Sequence, residues 1–159
     1  MNVHPAIRHQ PDPDFPGWWT WDLADPVHAG RFNATLGKIL VRADGPDRGI
    51  CRMFPDERHL NLQDMVHGGA LLTLADLALF AGGAMAGAGV IGAVTLALDS
   101  QFLGAARAGA PLDAEVDLLR ETGRLVFLRG LLIQDGARIA AFAGTLRKPS
   151  RPADAAGPK

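Results

Sequence analysis

Residues 65–92, MVHGGALLTLADLALFAGGAMAGAGVIG, restrict this chain more than any other stretch. They are almost wholly apolar, long enough to cross a bilayer, and carry one carboxylate, Asp76, near the middle. A membrane span and a buried helix both fit the length. The acid decides between them. An Asp at the centre of a spanning helix costs about 2.5–3.5 kcal/mol on insertion. No Lys or Arg cluster flanks the stretch, and its glycines gather towards the two ends, where caps and turns use them. The expectation is a helix from Gly68 to about Ala86, buried on most sides within a soluble domain, then a Gly-rich turn.

Strands surround this helix. Residues 37–44 and 48–55 alternate in polarity about a Gly-Pro-Asp turn. Residues 56–66 are polar and irregular, which predicts a loop. A strand is expected over 93–103, and three more over 109–123, 124–136 and 137–148, parted by Glu-Thr-Gly and Gln-Asp-Gly turns. Residues 28–36 suggest a short helix ahead of the first strand. One helix cannot cover about six strands unless the sheet curls round it, so the fold class is α+β, a curved antiparallel sheet wrapped round one long central helix.

A chain of 159 residues has room for one domain with a real core. The expected division is an N-terminal arm over 1–30, the domain over 31–148, and a disordered tail over 149–159. Trp18, Trp19 and Trp21, all the tryptophans of the chain, either staple the arm to the domain or supply one wall of a pocket. Lys plus Arg number 16 against 17 for Asp plus Glu, with no basic stripe, which argues against a nucleic-acid partner. Cys51 is the single cysteine, and no secretory leader pattern opens the chain, so a reducing, cytoplasmic setting is expected. Cys51 reads as an apolar filler in a strand. His4, His9, His28 and His59 show no metal-ligand spacing, so neither a metal nor a cofactor is expected. The glycines of 87–92 follow the helix rather than open it, which excludes a phosphate-binding loop.

A carboxylate on an apolar helix is costly unless paired, and so marks either a site or a satisfied structural acid. Its companions favour a site. His67, Gly68 and Gly69 stand at the helix start, where free N–H groups and the positive dipole end stabilise a developing oxyanion. Asp76 lies eight residues beyond Gly68, a rise of about 12 Å and an offset of about 80° round the axis. One carbonyl cannot touch both. Two antiparallel helices in a two-fold dimer would bring Asp76 of one chain to Gly68 of the other. If this is an active site, the protein is at least a dimer.

Residues 61–76, NLQDMVHGGALLTLAD, resemble the signature of hotdog-fold acyl-CoA thioesterases of the phenylacetate-pathway and 4-hydroxybenzoyl-CoA thioesterase type. That signature runs Asn, two residues, Gly, two residues, His-Gly-Gly, then six residues to a Leu-Ala-Asp-like end. Residues 102–109, FLGAARAG, are similar to the family's Phe-Leu-x-Pro-Ala-x-x-Gly, and the likeness covers about 36–148. The resemblance implies a hotdog fold and hydrolysis of an acyl-CoA, or of an acyl-carrier-protein conjugate, at sites shared across a homodimer or a dimer of dimers. In it, Asp76 matches the general base or nucleophile. Gly68 matches the residue whose N–H binds the thioester oxygen. Asn61 matches the asparagine that holds the carbonyl or the water, His67 an orienter of this loop, and Thr95 a hydroxyl that orients water. Gly69, Thr73 and Phe80 are expected to touch substrate. Taken alone, Asn61 is equally a turn residue, Thr95 a β-former and His67 a helix-start residue bonded to backbone. Two departures stand out: Asp64 occupies the motif's Gly position, and Ala105 or its neighbour falls where the family has Pro. The alternative function is a non-catalytic hotdog domain that binds acyl-CoA as a sensor or scaffold. Alanines and glycines at 78–84 either leave space for a bulky acyl chain or permit close packing.

Overall fold

The computed structural model of the protein describes residues 3–23 and 25–150. Among them, α1 (Gly68–Met85) is the one α-helix, ending a residue short of the expected bound. Round it lie β4 (Ile39–Ala43), β5 (Arg48–Met53), β6 (Val94–Phe102), β7 (Leu112–Glu121), β8 (Leu125–Gln134) and β9 (Ala137–Arg147), each inside its expected range. A short strand, β2 (Trp19–Thr20), pairs with β4 and makes the antiparallel sheet seven-stranded, in the order β2-β4-β5-β7-β8-β9-β6. Separately, β1 (Ile7–Arg8) pairs with β3 (Asp22–Leu23).

Alternation sets the two faces of the sheet. On β7, Leu112, Ala114 and Val116 are buried towards α1, while Asp113, Glu115 and Asp117 face outward. The outer acids meet outer cations. Arg52 grips Asp113 with two hydrogen bonds of 2.6 and 2.7 Å, Arg48 pairs with Glu115, and Arg129 reaches Asp117 at 3.2 Å.

Small residues let α1 lie directly on the sheet. A Cβ at Gly49 would overlap the Gly82 carbonyl oxygen, and one at Gly82 would come within 2.7 Å of the Val116 side chain. Leu79 fills the space over Gly144. The space left by Ala78, Ala81 and Gly82 is therefore taken by the sheet and not held open for an acyl chain. The helix has the length and apolarity of a membrane span, yet 61% of it is buried within the protein. Cys51 is fully enclosed in the same core, and burial pushes its thiol pKa well up, so it is packing rather than a nucleophile.

The loop chemistry mostly follows expectation. Asp135 and Gly136, with φ of 51° and 78°, close the β8–β9 hairpin as an Asp-Gly pair does. The short helix expected over 28–36 is instead two 3-10 turns, Pro26–His28 and Phe32–Leu36, with only Leu36 buried between them. So little apolar surface cannot support a longer helix. The expected loop at 56–66 contains a 3-10 turn, Glu57–His59, capped by Asp56. The tryptophans take both of the roles considered. Trp18 is buried under the Arg42 and Arg52 guanidinium groups, 4.8 and 4.1 Å from its ring. Trp21 lines a cavity of about 320 Å³ with Ile7, Asp22, Leu23 and Leu77. The expected tail lies outside the described residues from 151 onward.

Candidate active site

The sheet covers α1 on most sides but leaves a stripe containing Gly69, Leu72, Thr73 and Asp76 at least partly open. Asp76 is thus half-buried. The reason is positional: residues 69, 73 and 76 fall within one face of a 3.6-residue turn, and that face points away from the sheet. On one flank of the stripe runs β6, the outer strand of the sheet. Its Thr95 hydroxyl donates to Asp76 Oδ1 at 2.8 Å. That bond fixes one carboxylate oxygen and leaves Oδ2 free to act on a bound molecule.

The start of α1 carries the second half of the site. His67 is the N-cap, and its Nδ1 accepts the Gly69 N–H at 2.8 Å. The next two N–H groups, of Ala70 and Leu71, donate to the His67 carbonyl. Among the described residues the Gly68 N–H is left with no acceptor, so it is the donor available at the positive end of the helix. Gly69, expected to contact substrate, has its own N–H already engaged. The Phe102 ring lies over Gly68, 3.3 Å from where a Cβ would stand, so a larger residue there would press on it.

Asn61 shapes the loop that leads into this turn. Its Oδ1 accepts from the Gln63 and Met65 N–H groups at 2.9 and 3.2 Å, an Asx turn, leaving the Nδ2 group to donate elsewhere. Asp64 is exposed and has φ of 56°, the left-handed conformation for which a glycine is the usual choice. Aspartate is among the few other residues that adopt it, so the loop keeps its path.

A cavity of about 580 Å³ opens on the other flank of the stripe. His67, Gly69 and Thr73 line it, together with Phe32, Thr35, Leu36, Arg58 and His59. The Thr73 hydroxyl donates back to the Gly69 carbonyl at 2.8 Å. Asp76, Thr95, Asn61, Gly68 and Phe80 do not line this cavity within one chain, and Phe80 is partly buried further along α1. Arg58 is held by Asp56 through a 2.7 Å bond, which keeps the pKa of the Asp56 carboxyl down to about 2. Sequence reasoning missed Phe32, Thr35 and Arg58. The one available signal was Phe32, a lone aromatic in a polar run. A larger concavity of about 660 Å³ lies on the outer face of the sheet, between Arg129 and Asp99, and none of the candidate residues lines it. Among the described residues, no group of His, Cys, Asp and Glu is arranged to hold a metal.

Residues 63–141 match the sequence model of the thioesterase superfamily. No curated protein matches the chain. Solved structures do. A mutant of the phenylacetic acid degradation protein PaaI from Thermus thermophilus is 26% identical, covers 79% of this chain and 100% of its own, and superposes with a TM-score of 0.62. Thioesterase superfamily member 2 from Mus musculus is 24% identical over 76% of this chain and 89% of its own, with a TM-score of 0.64. A hypothetical thioesterase from Streptococcus pneumoniae, solved with coenzyme A, is 16% identical over 67% of this chain and 86% of its own, with a TM-score of 0.58. The architecture of one long helix against a large antiparallel sheet is their hotdog fold.

Proposed function

We propose that this chain, which belongs to the thioesterase superfamily, hydrolyses an acyl-CoA to the free acid and CoA at sites shared between two subunits. The observation that carries the reading is the Thr95–Asp76 hydrogen bond on the open stripe of α1, in a chain whose Gly68 N–H lacks an acceptor among the described residues. The thioester oxygen takes the Gly68 N–H, with Asn61 as a second donor, and so polarises the carbonyl. The partner's Asp76 then acts in one of two ways. As a general base it accepts a proton from water while the water oxygen bonds to the carbonyl carbon. As a nucleophile it bonds to that carbon itself, and water later cleaves the mixed anhydride. In both, the negative charge gathers on the oxygen facing Gly68 and the C–S bond breaks as the carbonyl re-forms; the departing thiolate takes a proton, from Asp76 in the first route and from solvent in the second, to leave as the CoA thiol.

The edge strand supports the dimer. On β6, Val94, Leu96 and Phe102, with Leu103 just beyond, are each about half exposed, at 48, 52, 53 and 54%, and Leu72 of α1 is 39% exposed beside them. An exposed apolar edge strand is unstable in isolation and invites pairing with a second chain. Two β6 edges joined about a two-fold axis cover these residues and set the α1 helices side by side; a dimer of dimers is the larger assembly in this reading. The domain over 31–148 does this chemistry in the cytoplasm, with the arm and tail flanking it and no cofactor, metal, nucleic acid or membrane involved.

The test is thiol release from short, medium, long and aromatic acyl-CoAs, with Asp76→Asn beside the unaltered protein. The expected result is turnover on at least one thioester, reduced at least about a thousandfold in Asp76→Asn at unchanged melting temperature. Undiminished turnover in the variant would remove Asp76 from the mechanism. Binding of acyl-CoA without turnover by the unaltered protein would replace the hydrolase with the sensor.

A further inference from the structure

His59 is a buried polar residue at the cavity wall that the proposed reaction does not use. Its ring is 5% exposed, and both of its nitrogens are engaged. Nε2 faces the Thr35 carbonyl at 2.8 Å; since a carbonyl only accepts, this nitrogen carries a proton and donates it. Nδ1 accepts the Asp56 N–H at 3.0 Å, completing the cap of the Glu57–His59 turn, with Asp56 Oδ1 beside it at 3.1 Å. The His59 carbonyl accepts the N–H of His67, the N-cap of α1, at 2.7 Å. One residue therefore ties the Phe32–Leu36 turn to the start of the catalytic helix. Both elements line the 580 Å³ cavity.

The wall needs this tie. Leu36 seats the Phe32–Leu36 turn in the core, but it is the turn's one buried residue and Phe32 is 69% exposed, so the Phe32 end has little core to hold it. Within that turn, the Thr35 hydroxyl is spent on the Phe32 carbonyl and reaches no other element. A buried donor aimed at a carbonyl also resists displacement, because parting them leaves both groups unsatisfied.

We infer that His59 is a positioning residue for substrate: its Nε2–H···O=C bond to Thr35 sets the width of the cavity beside His67, Gly69 and Thr73. The inference rests on the hydrolase reading above and deepens it. The His59 carbonyl that accepts the His67 N–H is backbone and survives substitution, so the start of α1 with its Gly68 N–H keeps its seat, and loosening this wall changes how substrate is held while leaving the chemical step nearly untouched.

Two substitutions separate the tether from simple stability. His59→Asn keeps an acceptor for the Asp56 N–H but is too short to reach Thr35. His59→Gln offers both an acceptor and a donor at longer reach. In His59→Asn, KM is expected to rise about tenfold, the loss of roughly one buried hydrogen bond, while kcat stays within about threefold. In His59→Gln, KM returns to within about threefold of the unaltered protein. Amide hydrogen exchange over residues 32–36, measured without substrate on the same proteins, is expected to quicken in His59→Asn only. An unchanged KM in His59→Asn, or equal impairment in both variants, would overturn the proposal. If the unaltered protein hydrolysed no acyl-CoA, the proposed reaction would fail. Exchange would then decide the tether alone, and equal rates in all three proteins would overturn it.

Discussion

At the scale of the residue, the site rests on a few atoms whose roles are separable. The Thr95 hydroxyl serves Asp76 alone among the described residues, so Thr95→Val removes one hydrogen bond to a carboxylate and little else. Such a bond is worth about 1.5–3 kcal/mol, and turnover is expected to fall about 10–100-fold while Thr95→Ser stays near the unaltered rate. Equal rates in Thr95→Val would mean the carboxylate needs no orienting. Asp64 tests a different idea. With φ of 56° it bears a conformation that alanine tolerates less well, so Asp64→Ala is expected to lower stability by about 1 kcal/mol in urea unfolding. Asp64→Gly should lose nothing, and a loss there would refute the conformational explanation. Much of this was legible in the sequence. The Asp76 to His-Gly-Gly spacing and Thr95 point to groups that the fold brings to α1 and its flank. Arg58, Thr35 and His59 did not stand out. They act through contacts between loops distant in the chain, which neither polarity nor periodicity encodes.

At the scale of the element, α1 and the sheet are matched by small residues more than by large ones. Gly49 lies so close to the Gly82 carbonyl that any side chain must part β5 from the helix. Gly49→Ala is therefore expected to destabilise the fold by about 2–3 kcal/mol in chemical unfolding, more than a surface substitution would. A loss under about 0.5 kcal/mol would show that β5 and α1 shift apart freely. The sequence made the elements plain because strand alternation and the Asp-Gly turn are local signals: β7 alternates cleanly, and Asp135–Gly136 closes the hairpin that follows β8. It concealed β2, because two residues, Trp19 and Thr20, make a strand only by pairing with β4. It also overstated a helix at 28–36, where the residues lack the apolar face that would hold one.

At the scale of the whole molecule, one chain holds the two halves of the proposed chemistry apart. Gly68 and Asp76 are eight residues apart on a continuous helix, about 12 Å along its axis. In the proposed dimer, the exposed β6 edge beside them is the surface through which a second copy would complete each site. Mixing subunits tests this directly. Asp76→Asn removes the carboxylate. Gly68→Pro removes the N–H at the first helical position, where the backbone accepts proline and the extended His67 before it suits one, at the cost of a small shift of the half-exposed Phe102 ring. Each variant alone should be inactive. Unfolded and refolded together in equal amounts, half the dimers become hybrids with one intact site, and activity is expected to return to about a quarter of the unaltered protein's. Inactive hybrids, with dimers shown to have formed, would mean that Asp76 and Gly68 do not meet across the interface.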